Sequence, residues 1–160
     1  MAFLAEASAR LSASLDVEAT LQTVAELAVP ALADWCFIAV LERGRVRPAA
    51  VAHANPEMVR LAHAMLARYP IKFDAPFGAG KVLRRGESEL NAGIPDEALV
   101  AVAHDEEHLA IVKQFAFTSS LSVPLEDAEG RAVAALSLVT AESGRRFGEA
   151  DLALAQEVAR

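Results

Sequence analysis

The sequence is poor in the residues that build covalent or metal-based frameworks. Cys36 is its single cysteine, which excludes an intrachain disulfide and a thiolate-rich zinc site. We expect Cys36 to be a small buried hydrophobe, as free cysteines commonly are. Aromatic residues make up only 6% of the chain, whereas 54% of it is hydrophobic. The core is therefore predicted to be packed mainly from Leu, Val, Ile and Ala.

Positive charge is also scarce, and long apolar runs are missing. A net charge of −7 argues against nucleic acid or an anionic membrane as a partner, because both favour a basic face. No apolar run approaches the roughly 18–20 residues that span a bilayer, and the first ten residues lack the pattern of a secretory signal. For 160 residues these features predict one soluble, cytoplasmic domain without membrane contact of its own.

The stretch APFGAGKVLRRGES, at 75–88, contains only a fragment of a phosphate-binding loop. That loop needs Gly-x-x-x-x-Gly-Lys followed by Ser or Thr. Here Ala75 replaces the first glycine, and Val82 replaces the hydroxyl residue after Lys81. We therefore predict no phosphate site, but a turn, a short helix over Lys81–Arg85 and a second turn at Gly86.

The rest of the chain predicts helices at both ends and two strand pairs between them. The predicted elements are helix Ala2–Ser12, a helix capped by Asp16 and ended by Pro30, strands Trp35–Leu41 and Val46–His53, a helix from Asn55-Pro56 to Tyr69-Pro70, helices Pro95–Ala103 and Glu106–Phe115, strands Leu121–Leu125 and Arg131–Ala141, and helix Glu149–Arg160. Tight turns join the strands of each pair, which predicts an antiparallel sheet with segregated helices, an α+β domain. Both chain ends fall within helical patterns, so we expect residues 1–160 to be one domain of a longer protein that also carries an output domain.

The segment His104–His108 invites a metal-site interpretation. A zinc-protease motif needs Glu directly after the first His, but that position holds Asp105, a natural helix N-cap that leaves His104 outside the helix. We predict a capped acidic helix start and no metal site. The sequence shows no Ser-His-Asp set or carboxylate dyad, so no catalytic residue is predicted.

Four stretches resemble the GAF domain, the small-molecule sensor module of bacterial signalling proteins. They are LAVPALADWCFIAVLE, IPDEALVAVAHDEEHLAIVKQF, SSLSVPLEDAEGRAVAALSLV and RRFGEADLALAQEVA. The resemblance implies a central antiparallel sheet with the N- and C-terminal helices on one face and pocket-covering helices and loops on the other, a GAF/PAS-like fold. It is closest to GAF domains of bacterial sensor histidine kinases and of some multidomain serine phosphatases.

Departures from the family pattern limit the ligands that the resemblance implies. Phe147 and Asp151 match the cyclic-nucleotide motif, but Leu152 replaces its Glu and no Asn-Lys follows Val139. Cys36 lies in a predicted strand and not in the loop region where phytochrome-like members attach a bilin. A methionine sulfoxide reductase of this family needs more than one cysteine. Neither cyclic nucleotide nor bilin is expected, and the ligand remains an unidentified small molecule.

The resemblance also implies where the pocket lies. The 75–88 segment is then a lid over the pocket mouth, made flexible by Gly78 and Gly80. The candidate ligand-binding residues are Phe77, Val82, Leu83, Leu99, His108, Ile111, Ser120 and Ser122. His108 has either an inward hydrogen bond or a structural role, and the two serines face either the pocket or solvent.

These observations predict a regulatory sensor domain of a bacterial histidine kinase. Ligand binding would shift the terminal helices, whose alanine-rich faces are also expected to pair two copies into a homodimer. Two alternatives remain: a dimerisation and spacer module that binds no ligand, and the sensor domain of a multidomain serine phosphatase.

Overall fold

A computed structural model describes residues 18–29 and 31–159, with only the backbone of Val158. The predicted helix Ala2–Ser12, the Asp16 cap, Pro30 and the end of the last helix at Arg160 lie outside these residues. Within them the helices are α1 (18–28), α2 (Pro56–Arg68), α3 (Ala79–Arg85), α4 (Asp96–Val102), α5 (Glu106–Gln114) and α6 (Glu149–Val158), and the strands are β1 (Trp35–Glu42), β2 (Arg45–His53), β3 (Glu89–Asn91), β4 (Ser119–Glu126) and β5 (Ala132–Thr140).

The described strands form one antiparallel sheet in the order β2-β1-β5-β4-β3. The predicted hairpins β1–β2 and β4–β5 are confirmed, and β5 joins them by pairing with β1. The first hairpin turns at Arg43 and Gly44, both with positive φ (51° and 76°), as a two-residue hairpin turn requires. The short edge strand β3 was not predicted. The α+β antiparallel architecture is confirmed.

The two faces of the sheet bury different layers. On one face, Cys36 and Ile38 of β1 and Leu121 of β4 pack with alanines of α1 and α6, including Ala25 and Ala155. The terminal helices therefore lie together on this face, as predicted. Cys36 has no exposed surface, which confirms its prediction as a buried residue, and burial raises the pKa of its thiol to about 12.

On the opposite face, α2, α3 and α5 pack against the strands. The start of α2 is fixed as its sequence predicts, since the Asn55 side chain accepts from the Glu57 N–H (3.0 Å) and Pro56 occupies the first helical turn. Asp105 likewise caps α5, accepting from the His108 N–H at 2.7 Å. Both caps satisfy N–H groups that a helix start leaves unpaired.

The helix of the 75–88 segment belongs to the core, which corrects its interpretation as a lid. Val82 and Leu83 are 1% and 5% exposed and pack with residues of β1, β2 and β5. Gly80 is needed for close approach and not for flexibility, because a Cβ there would overlap the Lys72 carbonyl oxygen. The apolar face of α3 thus packs against the sheet.

The junction between the two hairpins is fixed by Asp34, just before β1. Its carboxylate accepts from the Ala141 N–H (2.6 Å), the Ser143 N–H (3.2 Å) and the Ser143 hydroxyl (2.6 Å). Burial alone would raise the pKa of Asp34, but these hydrogen bonds outweigh it and the pKa is lowered. The Arg145 guanidinium adds to this lowering and donates to the Ala31 carbonyl (2.7 Å), so Arg145 ties the segment before α6 to the chain after α1.

Candidate functional site

A cavity of about 260 Å³ lies between the sheet and the helices on the face opposite α1 and α6. Its floor is formed by strands β1, β5, β4 and β3, and its walls by the end of α2, the 75–79 loop, α4 and α5. At the mouth Lys72 is exposed and Phe77 is 38% exposed. The volume and the access suit a small organic molecule.

The walls are mostly apolar. Side chains from six different segments contribute, namely Phe37, Leu66, Ile71, Leu99, Val112 and Phe117. The ring of Phe117 meets the ring of Phe37 edge to face at 6.5 Å, an arrangement that aromatic pairs prefer. Helix α4 contains no buried residue, so its lining side chains Ala98, Leu99 and Val102 are only partly covered. A bound apolar molecule would cover them further.

The floor carries a polar patch of four side chains. Asn91 of β3 lies opposite Ser120 of β4, and Ser122 of β4 lies opposite Ser137 of β5. The Asn91 Nδ2 donates to Ser120 Oγ at 3.3 Å, and the hydroxyls of Ser122 and Ser137 are 2.7 Å apart. All four side chains line the cavity.

The rings of Tyr69 and His108 line the end of the cavity between α2 and α5, and His104 packs beside them. The ring of Tyr69 stacks on His108 at 4.3 Å, and His104 lies 5.6 Å from Tyr69 and 5.3 Å from His108. His104 Nε2 donates to the Pro70 carbonyl (2.7 Å), while His108 Nδ1 accepts from the His104 N–H (3.0 Å). The two histidines therefore serve as links between the end of α2 and the start of α5.

The chemistry of this end favours neutral His108. Its side chain is buried, and burial is the largest cause that lowers its pKa, followed by the nearby His104 and Lys72, whereas Asp105 acts in the opposite direction. Tyr69 is also buried, and burial raises the pKa of its hydroxyl.

Outside the cavity, the Arg68 guanidinium makes a bidentate ion pair with Glu107 (2.7 and 2.8 Å) that joins α2 to α5 at the surface.

The 75–79 loop at the mouth is held by one buried carboxylate. Glu89 Oε2 of β3 accepts from the Gly78 N–H at 2.7 Å. Glu89 Oε1 has no hydrogen-bond partner among the described residues, and Lys81 Nζ lies 3.7 Å from it. Gly78 has φ +80°, a conformation that glycine adopts without strain, so this loop has a defined shape.

The model of the GAF domain family matches residues 14–160. The chain belongs to the GAF domain family. GAF domains are regulatory sensing domains that bind small molecules and are typically not catalytic.

Solved structures agree with this assignment at the level of fold. The GAF domain region of a protein from Geobacter sulfurreducens PCA has a TM-score of 0.67 at 12% identity, covering 93% of this chain and 91% of its own. The GAF domain of a phosphoenolpyruvate-protein phosphotransferase from Coxiella burnetii has a TM-score of 0.62 at 22% identity, with 89% and 77% covered. A domain of a two-component sensor histidine kinase protein from Sinorhizobium meliloti 1021 has a TM-score of 0.53 at 15% identity, with 91% and 84% covered. A comparison with curated protein sequences finds no match.

The cavity of this GAF domain contains five of the eight candidate residues. Phe77, Leu99, His108, Ser120 and Ser122 all line it, and their contact with a ligand stays a prediction.

The other three candidates lie elsewhere. Val82 and Leu83 are in the core beneath α3. Ile111 faces a separate groove between α2 and α5, lined also by Met58 and Leu61. It lies about 100° around the helix from Val112, which does line the cavity.

Sequence reasoning missed Asn91, Ser137 and the aromatic lining residues Phe37, Tyr69 and Phe117. Ser137 had a usable signal: a tight turn at Glu129-Gly130 between the two predicted strands of this hairpin would place it directly opposite Ser122. Phe37 is partly buried in the core as well as part of the lining.

The described residues offer no metal cage at this site. In residues 18–29 and 31–159, no three His, Cys, Asp or Glu side chains converge on a point that would suit an ion. The Cys36 thiol lies on the other face of the sheet. None of the helices in these ranges is both long and apolar enough to cross a bilayer.

Proposed function

We propose that this GAF domain is the small-molecule sensor of a bacterial signal-transduction protein, in which a ligand held in the cavity changes the position of α1 and α6. The observation that supports this most is the cavity itself, because it is roofed by α4, whose lining residues are incompletely buried. A domain that served only as a spacer would gain stability by filling such a space.

The sheet offers a direct path from the cavity to the terminal helices. Ser137 and Val139 of β5 line the cavity, while Leu136 and Leu138 of the same strand pack with α1 and α6. At the end of β5, Thr140 Oγ1 lies 2.5 Å from Ser119 Oγ, which accepts from the Phe147 N–H (3.1 Å) just before α6. A shift of β5 by a ligand therefore reaches both helices through packed side chains and hydrogen bonds.

The output is a histidine kinase in this proposal. The sequence resemblance to sensor kinase GAF domains and the similar fold of a domain from a sensor histidine kinase protein favour it. The terminal helices are expected to pair two copies, and Leu27 of α1 (74% exposed) and Leu154 of α6 (52% exposed) provide apolar surface for this contact. The longer polypeptide should form an acid-labile phosphohistidine when given ATP; its absence, together with phosphoserine hydrolysis, would favour the phosphatase instead.

Ligand binding can be tested with a metabolite library and a matched pair of variants. A ligand present at about 100 times its Kd should raise the melting temperature by roughly 5–10 °C, since it stabilises only the folded state. Ala98→Phe places a ring in the cavity and should abolish the shift. Ala101→Phe changes the exposed side of the same helix α4 and should leave it intact. Sensing is contradicted if no compound shifts the wild type, or if Ala98→Phe responds like the wild type.

A further inference from the structure

We propose that the cavity selects an uncharged, mainly apolar molecule that presents an amide-like edge, a hydrogen-bond donor next to an acceptor, to the polar patch Asn91, Ser120, Ser122 and Ser137. This inference rests on the proposed function, because it names the class of ligand for the same cavity. The argument concerns the size, the hydrogen-bonding capacity and the charge of the patch.

The size of the patch matches the edge of a small ring. Ser120 and Ser122 are two residues apart on β4, which separates them by about 7 Å along the strand. Each lies directly opposite its partner on a neighbouring strand, at roughly 5 Å. The patch is therefore long enough for two or three adjacent polar atoms, and the surrounding walls are apolar.

The patch can donate and accept hydrogen bonds beyond those that its side chains make with one another. Ser120 Oγ accepts from Asn91, so its own hydroxyl proton is not used in that bond. In the Ser122–Ser137 pair one hydroxyl donates to the other, and the second proton has no acceptor among the described residues. Asn91 Oδ1 likewise accepts no hydrogen bond from that part of the chain. Ser122 is buried, and Ser120, Ser137 and Asn91 are half-buried. Because polar groups shielded from water gain from each partner that they find, the patch favours a ligand that both donates and accepts.

The charges near the patch argue against an ionised ligand. Glu89 lies opposite Ser122 in β3, but its carboxylate is engaged with Gly78 and lies 3.7 Å from Lys81. These two charges offset each other. Lys72 is exposed at the mouth, where water solvates it. Since an ion loses its hydration on entering such a cavity, it would need a counter-charge that none of the four patch side chains provides.

The test uses three uncharged lactams, oxindole, isoindolinone and caprolactam, beside two carboxylates of similar size, benzoate and phenylacetate, and the hydrocarbon indane. The chain has two asparagines, Asn91 and Asn55. A nitrogen-15 NMR titration of residues 1–160 should shift the side-chain amide signal of Asn91 with at least one lactam. The signal of Asn55, which caps α2 outside the cavity, is the internal control.

A double substitution separates the patch from the apolar walls. Ser122→Ala with Ser137→Ala removes one hydroxyl pair without leaving either partner unpaired, and should weaken lactam binding roughly three- to tenfold. Indane should bind this variant at least as well as the wild type. Ser88→Ala, which removes a hydroxyl bonded to Gln156 of α6, should change neither affinity.

Three results would overturn the inference. The first is that none of the three lactams shifts the Asn91 signal. The second is tighter binding of a carboxylate than of any lactam. The third is lactam binding that the double substitution leaves unchanged. If the metabolite library yields a charged ligand that Ala98→Phe excludes, the inference fails while the sensor proposal stands. If Ala98→Phe excludes nothing, the sensor proposal itself fails.

Discussion

The same strands form both faces of the sheet, yet the two faces differ in what they bury. The face that packs against α1 and α6, here called the helix face, buries Ala25, Ala155, Ile38 and Leu121 in one hydrophobic cluster. Successive residues of each strand point to opposite faces, so the neighbours of these residues face the cavity. This cavity face carries Ser120, Ser122 and Ser137, and the helices that cover it leave a space. Small residues therefore act in opposite ways: alanines let helices approach closely, whereas serines leave a hollow with polar atoms on its floor.

This difference separates stability from sensing. The residues that pack against α1 and α6 contribute folding free energy through the apolar area that they bury and through dispersion contacts. Incomplete packing lets the cavity face respond to a ligand, since a bound molecule adds contacts that the free domain lacks. Substitutions on the two faces should therefore have unequal effects.

The largest difference is expected between two leucine truncations. Leu121→Ala, on the helix face with no exposed surface, should lower the free energy of unfolding by about 2–5 kcal/mol. Leu99→Ala, on the partly buried cavity wall, should lower it by about 1 kcal/mol or less. Urea denaturation of both variants measures this. Equal losses would mean that the cavity walls are as tightly packed as the core.

A second pair compares glycines at the border of the cavity face. In Gly80→Ala the added methyl group overlaps the Lys72 carbonyl oxygen, so α3 must move from the sheet, at a cost of about 1–3 kcal/mol. Gly93 lines the cavity, and a methyl group added there would meet only the side chain of Arg146, at 3.4 Å. Gly93→Ala should therefore change the free energy of unfolding by no more than about 0.5 kcal/mol.

Thermal unfolding of the two glycine variants is sufficient for this comparison. A Gly80→Ala domain as stable as the Gly93→Ala domain would show that α3 is not held against the sheet, and would restore its interpretation as a lid.

How much of this fold could be predicted depends on whether the signal was local. The helix start at Asn55-Pro56, the cap at Asp105 and the tight turn between the first two strands act on their own neighbours, and each was predicted correctly. Strand β3 is three residues long and exists because it pairs with β4; nothing within Glu89–Asn91 alternates clearly enough to show it. Tertiary pairing decides such a segment.

Prediction of the candidate site from the sequence was limited in the same way. An apolar face on α3 was visible in the sequence, but whether Val82 and Leu83 cover a core or a cavity depends on where the helix lies. On α5, a small rotation decides which residues face the cavity: His108 and Val112 do, whereas Ile111 faces α2. Ser120 and Ser122 were easier, because strand alternation has a period of two and admits only two directions.

The smallest expected effect is a pH dependence that arises on the cavity face at His108. Folding lowers the pKa of this side chain, so the folded state favours its neutral form, whose Nδ1 accepts from the His104 N–H. Its contribution to stability should be complete above the unfolded pKa of about 6.5 and should be lost as the pH falls through the lower pKa of the folded state. His108→Asn keeps an acceptor near the position of Nδ1 but cannot titrate, so unfolding measured between about pH 7 and 5 should depend less on pH in the variant. An NMR titration of the His108 ring gives the pKa directly, and a value at or above about 6.5 would mean that this end of the cavity admits water as freely as the mouth does.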